Sequence, residues 1–264
     1  MKEKYELLNK IDSDSFGNVY KAKLKNADEL RAIRIINKKA MIDIGGNFFQ
    51  DVILKSFDNM TICCLNNINS VKLCEYSITD KEVIIAMELM DENLEQFLRK
   101  RDQGLNAQEL LEILTQLNNT FKIMANNLIV HRDIKLQNIF IKYKNIDHIE
   151  YIVKLGNYEI STRLNSLDQK IDLIVGTRLY MAPEISEDDY YDAKCDLWNL
   201  GVTIYFCLFK EFPIRLTTGY DVEIQQPLKT SGNELLDDLI RKLLVKDPAN
   251  RITWEQYFDH PFFQ

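Results

Sequence analysis

The chain has 264 residues, 46% of them hydrophobic, which is enough to bury a core and excludes wholesale disorder. Asp and Glu outnumber Lys and Arg by 40 to 33, and the formal net charge of −7 argues against a general nucleic-acid binder. Nine glycines and five prolines are too few for a collagen-like or linker-like sequence.

Cysteine usage and the apolar segments bear on where the protein resides. The five cysteines are odd in number and form no CxxC pair, which is typical of a reducing compartment rather than of a disulfide framework. The N-terminal segment is charged and lacks the apolar stretch of a signal peptide. The longest apolar run, at 200–209, is shorter than the ~20 residues that cross a bilayer. We therefore expect a cytoplasmic protein that binds neither membranes nor nucleic acids.

Strand patterns dominate the first ninety residues. Alternating apolar residues predict three antiparallel strands, at 5–11, 18–24 and 31–36. Apolar residues at helical spacing predict a helix over 47–65, and the segments 71–78 and 82–89 predict two further strands. This part of the chain is thus expected to be a small α+β unit of five strands and one main helix.

Helical patterns dominate beyond Asp91. A long helix is predicted by apolar residues that step by three and four, namely Leu110, Leu114, Leu117, Phe121, Met124 and Leu128. The apolar run at 197–209 predicts a buried central helix, and Ser231 with Glu234 predicts a capping box at the start of another. The change of pattern predicts a hinge at 90–93, between an N-lobe (1–90) and a C-lobe (91–264).

Four motifs follow one another through the second half of the chain. They are HRDIKLQN at 131–138, GTRLYMAPE at 176–184, CDLWNLG at 195–201 and DPANR at 247–251. In this order and spacing they resemble the eukaryotic protein kinases, and the resemblance covers essentially the whole chain. It implies a bilobal protein-kinase-like α+β fold, with a five-stranded N-lobe and a mostly helical C-lobe.

The resemblance implies catalytic roles for four residues. Asp133 matches the residue that orients the substrate hydroxyl and accepts its proton, and Lys135 matches the lysine that contacts the transferred phosphoryl group. Asn138 matches the asparagine that holds a metal ion. Thr177 matches the loop residue that bonds the catalytic Asp and Lys in serine/threonine kinases. The same residues also brace this loop in a domain that does not catalyse, so both interpretations stay open.

The glycine-rich loop departs from the family pattern. The family has GxGxxG where this chain has DSDSFG, so Asp12 and Asp14 replace two glycines and only Gly17 remains. Glycine lets backbone amides approach the phosphates closely. At ~5 Å and an effective dielectric constant of ~20, each carboxylate that faces a phosphate costs roughly 3 kcal/mol. The alternative is that both carboxylates point to solvent.

The family's phosphate-contacting lysine on the third strand is also replaced. Alignment of residues 31–36 places Ala32 at the adenine-contacting alanine and Arg34 at the lysine. Counting back from residues 65–73 places Asp58 where the helix glutamate belongs. The resemblance therefore implies an Arg34–Asp58 pair, which is either a structural ion pair or a poorer phosphate contact, because a planar guanidinium does not replace a compact ammonium.

The metal-binding DFG motif reads NYE in this chain. Asn157 replaces the metal-binding Asp, and its neutral oxygen is a weaker ligand for a hard dication. We expect both metal positions, Asn138 and Asn157, to be impaired. Glu159 could substitute only by turning into the site, and we expect it to face elsewhere. Tyr158 stands where the Phe belongs and would complete the family's regulatory spine with Ile62, Leu73 and His131.

The adenine slot implied by the resemblance is partly intact. Val19 and Ala32 would form its roof and Phe140 its floor, where a smaller aliphatic residue is common. The gatekeeper and hinge positions are Met87, Glu88 and Met90. These residues either contact a bound purine or simply pack the core between the lobes.

The loop before residues 176–184 carries the site at which many family members are phosphorylated. Alignment places that site at Leu173, which cannot be modified, beside Asp172. We therefore expect no control by loop phosphorylation. Asp172 either contacts Arg132 as a constitutive substitute for a phosphate or is solvated.

Two functions fit this combination of motifs. The implied scaffold residues Glu184, Arg251 and Asp196 are retained, whereas the nucleotide positions are altered. We expect a pseudokinase, a binding or allosteric signalling module with protein partners and with weak or absent binding of ATP and Mg²⁺. The alternative is an active, unconventional serine/threonine kinase that uses Asp133 as the base with a reduced metal site. Other phosphate chemistry is a third option, but no residue in the sequence supports it.

Overall fold

Five antiparallel strands form the first part of the fold, in a computed structural model that describes residues 3–13, 17–39, 48–145, 147, 149–187, 190–217 and 222–264. They lie in the order β1-β2-β3-β5-β4. Their bounds are β1 (Tyr5–Ser13), β2 (Gly17–Leu24), β3 (Leu30–Asn37), β4 (Leu73–Ile78) and β5 (Glu82–Glu88). The structure confirms the five strands that the alternating apolar residues predict.

One long helix, α1 (Phe48–Cys64), packs against this sheet. Its residues Ile53, Phe57, Met60 and Cys63 are buried at three- and four-residue steps and join the main hydrophobic core. The predicted helix, 47–65, extends one residue beyond the observed C-terminal end at Cys64. Residue 47 lies outside the described residues.

The second part of the chain is mostly helical. The helices are α2 (Leu94–Arg99), α3 (Ala107–Asn126), α4 (Pro183–Glu187), α5 (Cys195–Phe209), α6 (Glu234–Leu243) and α7 (Trp254–Phe258). The short strands between them are β6 (Glu92–Asn93), β7 (Ile129–Val130), β8 (Ile139–Tyr143), β9 (Tyr151–Leu155), β10 (Thr162–Arg163), β11 (Ile214–Leu216) and β12 (Val222–Ile224). The architecture confirms the predicted α+β, bilobal kinase-like fold. In the part of the chain that the structure describes, no helix is long and apolar enough to cross a membrane.

The two central helices match the sequence predictions closely. In α3, the predicted apolar face from Leu110 to Met124 is buried, but the helix ends at Asn126, so Leu128 lies beyond it with a φ of 58°. Helix α5 is buried nearly all round because it lies in the middle of the core. These two helices carry the elements that position the site described below.

The predicted capping box at Ser231 and Glu234 is wrong. Helix α6 begins two residues later than such a box requires, and its N-cap is Asn233, whose side chain accepts a hydrogen bond from Leu236 N–H at 3.0 Å. The Ser231 hydroxyl instead donates to the Asp237 carboxylate at 2.7 Å. Asn is as good an N-cap as Ser, so the local sequence offered two competing starts.

A buried ion pair joins α4 to the loop after α6. The Arg251 guanidinium donates to both carboxylate oxygens of Glu184, at 2.6 and 2.8 Å, and both side chains are almost fully buried. Arg251 also donates to the backbone oxygens of Val245 and Lys194 and lies over the Trp198 ring. The predicted Glu184–Arg251 pair is thus confirmed, and it fixes the end of the 176–184 segment to the C-lobe.

Glu184→Gln should lower the free energy of unfolding by about 3 kcal/mol, because it leaves the buried Arg251 charge without its counter-ion. The measurement is urea denaturation at neutral pH. The matched control is Glu150→Gln, at an exposed pair with Lys144, which should change stability by less than about 0.5 kcal/mol. Equal effects of the two substitutions would contradict the prediction.

Candidate active site

The catalytic loop, residues 131–138, is held by a carboxylate from the central helix. Asp196, in the first turn of α5, accepts the backbone N–H groups of His131 and Arg132, both at 2.7 Å. Arg132 has a φ of 67°, a left-handed conformation that is unfavourable for a residue with a side chain. The two hydrogen bonds that Asp196 accepts hold the loop in this bend, immediately before Asp133.

The predicted catalytic residues lie together. The Thr177 hydroxyl donates to one oxygen of Asp133 at 2.7 Å, and the Lys135 ammonium lies 2.8 Å from the other oxygen. Lys135 also donates to the Thr177 hydroxyl at 2.6 Å, which closes a triangle. This triangle keeps Asp133 oriented while part of its side chain stays exposed, as a group that accepts a proton from a bound hydroxyl has to be.

The two candidate metal residues are bonded to each other. The Asn138 amide nitrogen donates to the backbone and side-chain oxygens of Asp133, at 2.7 and 3.0 Å. The Asn138 side-chain oxygen accepts from the Asn157 amide at 2.7 Å. Both positions therefore offer neutral amides, and the Asn138 side-chain oxygen is already bonded to the Asn157 amide nitrogen. Within the described residues, no group of three His, Cys, Asp or Glu side chains is arranged to hold a metal ion.

Arg34 pairs with Glu159 rather than with Asp58. The Arg34 Nε lies 3.1 Å from a Glu159 carboxylate oxygen, and both side chains are largely buried. Asp58 is exposed on the outer side of α1 and does not line the cleft. The expected Arg34–Asp58 pair is thus wrong, because the helix turns this carboxylate to solvent and the NYE loop supplies the counter-ion. The expectation that Glu159 faces away from the metal position agrees with this contact.

Tyr158 occupies the buried position expected for the Phe of the DFG motif. Its ring centroid lies 4.9 Å from that of His131, and its hydroxyl bonds the Ser70 hydroxyl at 2.9 Å. The residue of α1 that lies on this side of the stack is Cys63, which is fully buried. Its neighbour Ile62 is only half-buried. The expected spine residue Ile62 is therefore replaced by its neighbour, a one-residue error in the helical register.

The remaining site residues line a cleft between the two parts of the fold. Its volume is about 720 Å³, within the range of small-molecule sites. Its lining includes the predicted roof, gatekeeper, hinge and floor residues together with the phosphate-side positions: Val19, Ala32, Met87, Glu88, Met90, Phe140, Asp12, Arg34 and Asn157. Asp12 thus borders the cleft, and Asp14 lies outside the described residues.

The bulky floor residue Phe140 fits because its ring lies against a glycine, Gly156, which directly follows β9. A Cβ atom added to Gly156 would lie 2.8 Å from the Val71 side chain and 2.9 Å from the Phe140 ring. The large residue at 140 is thus compensated by the absence of a side chain at 156. Gly156 stands directly before NYE in the sequence, so a small residue at this position was a signal that we did not use.

The hinge carries an ion pair that sequence reasoning missed. Lys154, at the end of β9, donates to both carboxylate oxygens of Glu88 at 2.7 and 2.9 Å. Lys154 is largely buried, so the pair neutralises a charge at the back of the cleft. No local signal would have paired residues that are 66 positions apart.

Arg132 contacts the segment between NYE and residue 176, but it does not contact Asp172. Its Nε donates to the backbone oxygen of Ile160 at 2.6 Å. The Tyr191 hydroxyl lies 3.5 Å from Arg132 Nη1 and donates to the backbone oxygen of Leu173 at 2.6 Å. Asp172 is exposed, and the described ion pairs do not include it. Of the two expectations for Asp172, the solvated one agrees with the structure.

Burial sets the protonation of the loop. Complete burial lowers the pKa of His131 to about 4, although the Asp133 charge and a 2.9 Å contact with the Gly156 backbone oxygen oppose the shift. Burial raises the pKa of Asp196 to about 7, although the two N–H bonds that it accepts favour the charged form. His131 is therefore neutral in the folded protein at neutral pH.

Comparisons with known proteins agree with this geometry. The family model described as protein kinase domain matches residues 5–263. The Dictyostelium discoideum protein named "Probable serine/threonine-protein kinase pXi" is 30% identical over 260 residues, 98% of this chain and 36% of that protein. The Nematostella vectensis protein named serine/threonine-protein kinase PLK4 is 27% identical, over 98% of this chain and 26% of its own length. The Xenopus laevis protein named serine/threonine-protein kinase ULK3 is 28% identical, over 98% of this chain and 55% of its own length.

This chain belongs to the protein kinase domain family. It spans about half or less of the length of these three relatives. The family generally uses ATP and Mg²⁺.

Gly156→Ala should destabilise the protein by roughly 1–3 kcal/mol, because the added methyl group overlaps Val71 and Phe140. Adding Phe140→Leu to the same protein should recover part of this loss by vacating the volume. The measurement is a double-mutant cycle by chemical denaturation. Strict additivity of the two substitutions would contradict the proposed compensation.

Stability should depend on His131 between pH 7 and pH 5. As the pH falls below the ordinary His value of 6.5, the unfolded chain takes up a proton that the folded protein, with a pKa of about 4, does not. His131 therefore contributes a loss of stability over this window, about 2 kcal/mol at pH 5, whereas Asp196, whose pKa is raised, contributes in the opposite direction in the wild type and in the variant alike. His131→Phe keeps the ring beside Tyr158 and should remove this loss, as measured by urea unfolding at several pH values. Parallel pH profiles of the two proteins would contradict the prediction.

Proposed function

We propose that this protein kinase domain is a pseudokinase, a binding or allosteric signalling module with weak or no ATP-dependent phosphotransfer. The observation that carries the proposal is the amide pair at the metal positions. In place of a carboxylate, Asn157 presents a neutral amide whose nitrogen is bonded to the side-chain oxygen of Asn138. A hard dication prefers charged oxygen ligands, so it would have to break this bond to gain two neutral ones.

The phosphate side of the cleft supports the same proposal. Arg34 has a carboxylate partner in Glu159, so its charge is already balanced within the protein. Asp12 borders the cleft and adds a negative charge that repels phosphates. A triphosphate thus meets less net attraction here than an ordinary kinase cleft provides, with or without a metal ion.

A second candidate function is an active, unconventional serine/threonine kinase. The triangle of Asp133, Lys135 and Thr177 favours it, because the proton-accepting side of the site is fully assembled. The relatives named above are described as serine/threonine kinases, which supports the same candidate. In this case phosphotransfer would proceed with Asp133 as the base and a reduced metal site.

The module would act on other proteins in the cytoplasm. The proposal of protein partners follows from the scaffold, since the Glu184–Arg251 pair holds the end of the segment 176–184, where family members meet protein substrates, against the C-lobe. No described feature favours nucleic acids or membranes as partners.

Adenosine should bind at least as tightly as ATP, and Mg²⁺ should not strengthen ATP binding. The purine surface formed by Val19, Ala32 and Met87 carries no charge, whereas one uncompensated carboxylate–phosphate contact of roughly 3 kcal/mol weakens ATP about 100-fold. The measurement is a thermal-shift titration with adenosine and with ATP, each with and without Mg²⁺ or Mn²⁺.

Low-micromolar ATP binding that requires Mg²⁺ would contradict the pseudokinase. The enzymatic arm compares phosphotransfer to a generic protein substrate by the wild type and by Asp133→Ala. Activity that is lost in Asp133→Ala would establish the second candidate. No activity in either protein, with intact folding of both, supports the pseudokinase.

A further inference from the structure

Five consecutive residues, 157–161, are each bonded to a different group elsewhere in the fold. We call them the clasp segment. Asn157 donates to the Asn138 side chain, and the Tyr158 hydroxyl bonds the Ser70 hydroxyl. Glu159 forms an ion pair with the Arg34 guanidinium. The Ile160 backbone oxygen accepts from the Arg132 side chain, and the Ser161 hydroxyl accepts from the Asn59 amide. Three of these residues, Asn157, Tyr158 and Glu159, are the ones that differ from DFG.

The partners of the clasp segment come from both parts of the fold. Arg34 lies on β3, Asn59 on α1 and Ser70 in the connection between α1 and β4, whereas Arg132 and Asn138 belong to the catalytic loop. The clasp segment thus links the sheet, its helix and the catalytic loop through side chains of one short stretch. In an ordinary kinase a bound nucleotide and its metal ions bridge these same regions.

The bonds are also well protected from water. The partners Arg34, Asn59, Ser70 and Arg132 are each at least 95% buried. A rearranged clasp segment would leave several of these groups without their partners in a low-dielectric interior, which is costly for each of them. The observed arrangement is therefore favoured over any other that the segment could adopt.

We propose that the clasp segment holds the two parts of the domain in the assembled arrangement without nucleotide, metal or phosphorylation, with Glu159 standing at Arg34 as a built-in counter-ion in place of a ligand phosphate. The second half of this statement rests on the proposed function, because it explains why phosphates are not attracted. The first half does not, since it concerns the nucleotide-free protein alone.

Hydrogen exchange of the nucleotide-free, 264-residue chain tests the clasp. The variants are Tyr158→Phe, which removes only a hydroxyl, and Glu159→Gln, which removes only a charge. Amides 157–164 should exchange about tenfold faster in each, the factor that corresponds to losing one buried hydrogen bond in Tyr158→Phe and one largely buried ion pair in Glu159→Gln. The acceleration should extend to α1 and leave α5 unchanged. The matched control, Glu150→Gln, replaces an exposed glutamate and should leave every segment unchanged.

Two outcomes would overturn the clasp. One is exchange of residues 157–164 in both variants that equals that of the Glu150→Gln control. The other is equal acceleration in the clasp segment and in α5, which would show a global loss of stability rather than release of a local lock. Both readouts are free of nucleotide, so tight Mg²⁺–ATP binding would overturn the proposed function and leave this result standing.

Binding of inorganic tripolyphosphate tests the counter-ion. Glu159→Gln should bind it about tenfold more tightly than the wild type, since Arg34 then lacks a charged partner on the clasp segment. Adding Arg34→Met to this variant should abolish the gain. Unchanged affinity in Glu159→Gln, measured by calorimetry without metal ions, would overturn this half of the proposal.

Discussion

Two hydrogen bonds from one buried carboxylate organise the site. Asp196 can hold the backbone of residues 131 and 132 only because α5 lies in the centre of the core, where it is packed on every side. Those bonds compensate the unfavourable left-handed backbone at Arg132. From this bend follow the placement of Asp133 near Thr177, of His131 under the NYE loop, and of the Arg132 side chain against Ile160. Every later contact of the site is built on that geometry.

The same anchored loop serves two different halves of a site. On the substrate side, charge and hydroxyl groups converge on Asp133 as a phosphotransfer reaction would need. On the nucleotide side, the replaced residues at 34 and 157–159 have partners inside the protein: amide with amide, arginine with glutamate, tyrosine with serine. These contacts hold the nucleotide side of the site in one shape.

Much of this could be predicted from sequence, since strands, long helices and ordered motifs depend on local spacing. The five strands, α3, α5 and the Glu184–Arg251 pair follow from alternation, helical periodicity and motif matching. The errors arose where a contact depends on helix rotation or on a distant residue. Asp58 and Ile62 are each misplaced because counting residues does not fix which face of α1 meets the site. The pairs of Arg34 with Glu159 and of Glu88 with Lys154 join separate elements, and only their tertiary placement reveals them.

The exchange of volume between Phe140 and Gly156 matters for the design of chemical probes. Where an aliphatic floor offers a ligand only a curved hydrocarbon surface, Phe140 offers an aromatic ring at the edge of the cleft. A flat heteroaromatic compound gains stacking energy on such a ring, and a compound with a bulky saturated group meets a shallower space. Because the ring packs against Gly156, directly after β9, this preference is fixed by the scaffold. Compounds chosen for that ring would therefore distinguish this cleft from those of relatives with an aliphatic residue at the same place.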